Sequence, residues 1–228
     1  MKTKQPPEPE PSLSINKRLL CVYSLFLTPL THAQSSANIG ISSNYLWRGT
    51  TQSDDDPALS AGLDFSGKNG FYAGSWISTL SDSHYELDLY GGYAWQTNNI
   101  NYDIGLINYQ YPRINDYFTE LSLRVAYEFI QASVAYTFDS KDNSSAEFSS
   151  GDLYYALTAS HELENSLNLG LILGHYDFDD DIGDDYSHAQ ASIGIKDFNF
   201  AVDSSSGLAS QNDVTVSLTW TKTFDLNN

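Results

Sequence analysis

The sequence predicts an all-β fold, an antiparallel up-and-down transmembrane β-barrel of about twelve strands. Three observations predict it: segments of roughly ten residues with two-sided alternation, linkers that are alternately short and long, and an export-type segment at the N-terminus. The alternation is clearest in residues 85–95, YELDLYGGYAW, where the odd positions carry Tyr, Leu, Leu, Gly, Tyr and Trp and the even ones Glu, Asp, Tyr, Gly and Ala. A strand sends successive side chains to opposite faces, so one face is apolar and the other carries acids.

Read this way, the strands run over 38–48, 58–66, 71–80, 84–96, 102–111, 117–129, 132–139, 153–163, 167–178, 186–196, 198–204 and 214–224. No helical period of 3.6 competes with them. One set of linkers is short: 67–70, 97–99, 130–131, 164–165 and 197. Its Asn and Gly residues suit tight hairpins. The other set is longer and polar: 49–57, 81–83, 112–116, 140–152, 179–185 and 205–213. The sets interleave, as short periplasmic turns and longer outer loops do.

Residues 1–33 read as a signal peptide, and 34–228 as the barrel. Lys17 and Arg18 precede an apolar run from Leu19 to Leu30 that ends at Thr31-His32-Ala33, a basic region, an apolar region and a small residue at the cleavage point. The run is too short to span a bilayer as a helix. Cys21, the only cysteine, lies inside it, which does not suit lipidation and leaves no thiol for the barrel. The chain has 11 Lys+Arg and 29 Asp+Glu, of which residues 1–33 hold four and two, so the barrel has 7 basic and 27 acidic residues and a net charge of −20. That surface repels phosphate backbones, which excludes nucleic acid as a partner, and favours cations.

The spacing of aromatics supplies a length test. Tyr85 and Trp95 share the apolar face. Ten residues at roughly 3.3 Å each, tilted by about 45°, cover roughly 24 Å of membrane normal, close to the band between aromatic girdles. Tyr117 and Tyr127 repeat the interval. Aromatics at strand ends, Tyr45, Trp47, Tyr111, Phe129, Phe138, Phe178, Phe198 and Phe224, suit the headgroup layer. A soluble barrel or sandwich has the same alternation turned inside out; the aromatic placement, linker lengths and strand lengths weigh against it.

Several stretches carry a family resemblance: NIGISSNYLWRGTTQSDDDPALSAGLDF (38–65), NGFYAGSWISTL (69–80), ELDLYGGYAW (86–95), YDIGLINYQYP (102–112), DYFTEL (116–121) and TWTKTF (219–224). This ordered series resembles the TorF-family porins, also called the Gcw_chp group, of the outer membrane of Gram-negative bacteria. Arg113 stands where the resemblance leads one to expect Gly, and Leu46-Trp47 varies the usual pair before Arg48-Gly49. The resemblance implies a porin. The last strand also resembles the C-terminal strand that barrel-assembly machinery recognises, with Lys222 interrupting its apolar face.

With the apolar face toward lipid and lipopolysaccharide, the polar face lines the lumen. The candidate lumen residues are Asn44, Arg48, Asp64, Glu86, Asp88, Asp103, Glu120, Arg124, Glu128 and Asp203. Lined by them, a narrow pore concentrates cations and passes small solutes by diffusion. The alternative is a plugged structural or surface-interaction barrel, with Arg48 and Arg124 knitting strands together through carboxylates. A homo-oligomer is compatible with either.

Three further patterns point less far. The run Ser53-Asp54-Asp55-Asp56-Pro57 is first a solvated outer loop; alternatively, Arg48 folds over the mouth to pair with it, or it holds a divalent cation. Residues 177–185, DFDDDIGDD, fail the EF-hand spacing, with Gly at position seven and His188 at twelve. His84, His161, His175 and His188 have no metal-ligand spacing, and no nucleophile elbow, phosphate loop or cofactor fingerprint occurs. An enzyme would have to pair His161 or His188 with a serine across strands.

Overall fold

Strand pairing follows chain order and closes on itself. The computed structural model describes residues 33–141, 148–163, 166–179, 184–207 and 214–227. The elements are β1 (Gln34–Ser42), a short inner hairpin β2 (Leu46–Trp47) and β3 (Thr50–Thr51), then β4 (Ala58–Ser66), β5 (Phe71–Thr79), β6 (Tyr85–Thr97), β7 (Ile100–Tyr111) and β8 (Asp116–Tyr127). They continue with β9 (Ile130–Ser140), β10 (Leu153–Leu163), β11 (Leu167–Asp177), β12 (Tyr186–Ile195), β13 (Phe198–Ser206) and β14 (Val214–Asp225). All but β2 and β3 form one closed barrel of 12 strands. Closure is antiparallel between β1 and β14, with Ala37 opposite Phe224 and Ile41 opposite Trp220. No strand edge of the barrel is left unpaired, which is what a sheet in hydrocarbon requires.

The two ends differ as the linkers predict. At the end holding both termini, two-residue hairpins such as Asn98-Asn99 (φ 50° and 65°) join the strands. Asn tolerates this left-handed backbone, which matches the twist of the flanking strands. The longer linkers gather at the opposite end, the outer one in the topology expected from the sequence, and even the short 81–83 segment holds there as a single 3-10 turn, Ser81–Ser83.

The exterior carries a broad apolar band. Leu59, Leu63, Ile104, Leu106, Leu121, Leu123, Leu157, Leu171, Leu173, Val216 and Leu218 all point outward and are exposed. An apolar surface this extensive exceeds anything a soluble monomer leaves in water. Near the turn-rich end Phe71, Tyr93, Trp95 and Tyr102 stack into a girdle segment, with ring centres 4.9, 5.7 and 5.2 Å apart along the series.

Three expectations need correction. The first strand does not run over 38–48: β1 ends at Ser42, and the chain turns inward, so Asn44 and Arg48 belong to a loop. The strand over 117–129 ends at Tyr127, and Glu128 sits exposed in the following turn at φ 51°, outside the lumen. Its alternating position carried it inward on paper, but the hairpin begins one residue too early. Phe129, Phe138, Phe198 and Phe224 do face outward, whereas Tyr45, Trp47, Tyr111 and Phe178 pack inside the barrel mouth rather than in the headgroup layer. The expected signal segment apart from Ala33 lies outside the described residues, as do 180–183 of the DFDDDIGDD run.

Candidate functional site

The linker between β1 and β4 builds its own small structure and pushes it into the outer mouth. Asn44 organises it: Nδ2 donates to Asp55 at 2.5 Å, and Oδ1 accepts from Thr51 at 2.6 Å. The Asn44 carbonyl accepts from Ser217 on β14 at 2.6 Å. Ser53 Oγ accepts from the Tyr45 amide at 2.9 Å and donates to the Asp56 carbonyl at 2.7 Å. Between these ties, Trp47 pairs with Thr50 around the two-residue tip Arg48-Gly49. Both tip residues have positive φ, 47° and 87°, as a type I′ turn demands. Gly49 is required twice over, because a Cβ there would lie 2.5 Å from His188 Cβ.

The wall that receives this hairpin is aromatic. Tyr154, Tyr176 and Tyr186 occupy one cross-strand row on β10, β11 and β12, with neighbouring ring centres 5.8 Å apart. Tyr109 and Phe118 form a second cross-strand pair, stacked at 4.4 Å. Trp47 meets Tyr109, Phe118 and Phe148 edge-on at 5.8, 6.3 and 5.3 Å. Trp47 keeps 4% and Tyr176 0% of its surface exposed, so the mouth is packed like a protein core.

The hairpin tip ends in a charge pair. Arg48 donates from Nη1 and Nη2 to the two oxygens of Glu120 at 2.7 and 2.6 Å, with side chains 7% and 2% exposed. Its guanidinium lies 4.3 Å from the Trp47 ring centre, 4.1 Å from Tyr154 and 5.5 Å from Tyr176. Arg48 therefore does not pair with the Asp54–Asp56 run, which stays exposed. Beside it Tyr154 Oη shares a hydrogen bond with His188 Nε2 at 2.9 Å, and His188 Nδ1 stands 3.5 Å from Asp203. Gln190 donates to the same Asp203 oxygen at 3.0 Å.

Toward the periplasmic end the lumen is polar. Arg124 donates to its cross-strand neighbour Asp103 at 2.8 Å. Asp64 accepts from Asn38 at 3.2 Å and from the Tyr90 hydroxyl. Nearer the mouth, at the start of β6, Glu86 accepts from the Tyr45 hydroxyl at 2.9 Å, and Asp88 Oδ1 is buried without a partner. None of Asp64, Glu86 and Asp88 has a cationic partner among the described residues. Glycines line the lumen on the side of the chain termini. Tyr72 faces Gly92, and Gly74 faces Tyr90, across β5 and β6. A Cβ on Gly74 would sit 2.4 Å from the Tyr90 ring, and one on Gly92 2.4 Å from the Tyr72 hydroxyl, so both rings lie along the wall rather than across the axis.

Residues 28–223 match the family model described as "Bacterial protein of unknown function (Gcw_chp)". The chain belongs to the Gcw_chp family. No curated protein matches this Gcw_chp protein by sequence. Among solved structures it is similar to "KdgM porin", with 10% identity and TM-score 0.54 over 84% of this chain and 99% of that one. It is also similar to "KdgM porin in complex with disordered oligogalacturonate", with 8% identity and TM-score 0.53 over 85% and 99%. A third, titled "Unveiling the Mechanism Behind the in-meso Crystallization of Membrane Proteins", has 11% identity and TM-score 0.57 over 86% and 85%. At these identities the likeness is one of fold: the Gcw_chp chain shares the closed antiparallel barrel of these structures.

Of the ten residues singled out from the sequence, Asp64, Glu86, Asp88, Asp103, Glu120, Arg124 and Asp203 project inward from strands, and Asn44 and Arg48 reach the interior through the hairpin loop. Glu128 does not. Trp47, Tyr109, Phe118, Tyr154, Tyr176 and His188 were missed as interior residues. Parity marked some of them: Phe118 shares its face with Glu120, and Tyr109 shares its face with Asp103.

Proposed function

We propose that this chain is an outer-membrane porin that passes small cationic or neutral solutes by diffusion, which also fits the TorF label. Residues 1–33 direct export, barrel-assembly machinery inserts the strands, and the apolar exterior meets outer-membrane lipid and lipopolysaccharide. The observation that carries this reading is the periplasmic half of the lumen. Its wall of glycines and half-exposed polar side chains holds Asp64, and Glu86 and Asp88 add two buried carboxylates nearer the mouth; none of the three has a cationic partner among the described residues. Acids on a low-dielectric wall attract cations and repel anions. An oligogalacturonate, the anionic ligand in one similar structure's title, is a poor cargo for such a lining.

A second reading, a plugged barrel with a structural or surface role, draws on the hairpin: both lumen arginines are paired, and the mouth is packed. Single-channel recording of the purified protein in a planar bilayer separates the two. The porin reading expects discrete steps with cation preference, weakened in Glu86→Gln/Asp88→Asn. A folded barrel that stays silent, even after the hairpin is released by Trp47→Ala, supports the plug.

A further inference from the structure

The Arg48 guanidinium sits in a receptor that the barrel wall supplies almost entirely. Glu120 on β8 accepts two parallel hydrogen bonds from it. Tyr154 on β10 offers a ring face 4.1 Å from Cζ, and Tyr176 on β11 another at 5.5 Å. Tyr109 on β7 holds the carboxylate from behind, its hydroxyl 3.4 Å from Glu120 Oε2. Only Trp47 comes from the hairpin itself. A carboxylate fork beneath aromatic faces suits a planar guanidinium, which bonds in two places at once and stacks. An ammonium is a point charge and does neither.

The turn does not account for the arginine. Position 48 has φ 47°, a backbone that Asn, Asp or Gly adopts with less strain in a type I′ turn. The side chain there is matched to the box, not to the hairpin. Arg48 also joins the tip to the far wall, so whatever takes its place in the box removes one of the two ties, Trp47 being the other, that hold the tip down.

We propose that Glu120, Tyr154 and Tyr176 form a guanidinium-binding site that Arg48 fills as a tethered stand-in, and that a solute carrying a guanidinium group enters the lumen by displacing it. The entry step rests on the porin reading above; the binding step does not. A tethered group competes at an effective concentration of roughly millimolar or above. Displacement in the wild type therefore needs millimolar solute, and removal of Arg48 uncovers the site.

The test uses the full chain in detergent and in planar bilayers, with ethylguanidinium as probe and ethylammonium at equal ionic strength as control. In Arg48→Ala, calorimetry should show saturable ethylguanidinium binding, at least about tenfold tighter than to wild type because the tethered competitor is gone. Ethylammonium should bind far more weakly, and Glu120→Gln in the same background should abolish binding. In wild type, millimolar ethylguanidinium should raise the open fraction where ethylammonium does not. Should Arg48→Ala not fold, as judged by heat-modifiable gel migration, Arg48→Lys keeps the charge but not the fork and should give the same ligand preference. A folded, conducting variant with no preference for guanidinium overturns the site while leaving the porin standing. Selective binding by variants that never conduct supports the site and overturns both the entry step and the porin reading.

Discussion

The two halves of the lumen share one wall and one alternation, yet the outer half is packed and the periplasmic half is not. Outer inward positions carry rings, Tyr109, Phe118, Tyr154, Tyr176 and Tyr186, and the hairpin brings Tyr45 and Trp47 to meet them. Further down, inward positions carry Gly62, Gly74, Gly92, Gly105 and Gly170, with serines and threonines among them. Closure of the mouth is therefore a property of one docked loop and the aromatic rows that receive it, whereas the width of the lower lumen is a property of the strands. The same residue type serves both: tyrosine against glycine lies flat and leaves space, while tyrosine beside tyrosine fills it.

The sharpest break of that contrast is Trp47→Ala. Truncating a buried indole costs about 3–5 kcal/mol, and here the loss falls on hairpin docking rather than on strand pairing. Limited trypsin digestion reads it directly, since the Arg48–Gly49 bond sits at the buried tip. The wild type should resist cleavage there and the variant should be cut, while both still show the heat-modifiable migration of an intact barrel. If the variant loses the barrel as well, the loop and the wall are one cooperative unit and the division into halves fails.

A smaller effect is expected from Asp103→Asn in the lower lumen. It leaves Arg124 without its 2.8 Å partner, but Arg124 is 20% exposed, so water takes up part of the loss. The cost should be about 2–3 kcal/mol, below the 3–5 kcal/mol of a fully buried pair. Thermal unfolding in detergent checks it, and trypsin should still not reach Arg48. Cleavage at Arg48 in this variant would mean that the lower pair also holds the hairpin.

The wall itself is probed by Gly74→Ala. The new methyl displaces the Tyr90 ring from the β5 wall toward the axis and strains its bond to Asp64. Overpacking of roughly 1 kcal/mol is partly offset by the lower chain entropy of Ala in the unfolded state. Stability should barely move, while single-channel conductance should fall. An unchanged conductance would show that Tyr90 does not border the conducting path.

Much of this was legible in the chain. The closed barrel of 12 strands follows from period two and interleaved linkers, because each strand must hide its backbone in its neighbours and show one apolar face. The inward acids follow from the same parity. The docked hairpin did not, because alternation ran on through Asn44 and Arg48 as if β1 continued, and nothing local distinguishes a loop lying in the lumen from a strand in its wall. The partner of Arg48 lies 72 residues away on β8; only the closed barrel brings it near, while the Asp run close by in sequence stays in solvent. Glu128 failed for the opposite reason, a strand that stopped at Tyr127 while its pattern ran on.

Lys222 shows how an apparent sequence defect resolves at the periplasmic end. It interrupts the apolar face of β14, yet its ammonium reaches Asp197 in the β12–β13 turn at 2.9 Å. Side chains 41% and 32% exposed place the pair at the rim, where a long stem runs along apolar surface and the charge stays wet. Exposed pairs of this kind contribute about 0.2–1 kcal/mol, so Lys222→Ala should shift thermal unfolding least of all the changes considered and leave both conductance and trypsin resistance at Arg48 as they were. A loss comparable to that of Asp103→Asn would mean that the rim pair fixes the β12–β13–β14 register, and that the periplasmic half depends on its turns as the outer half depends on its loop.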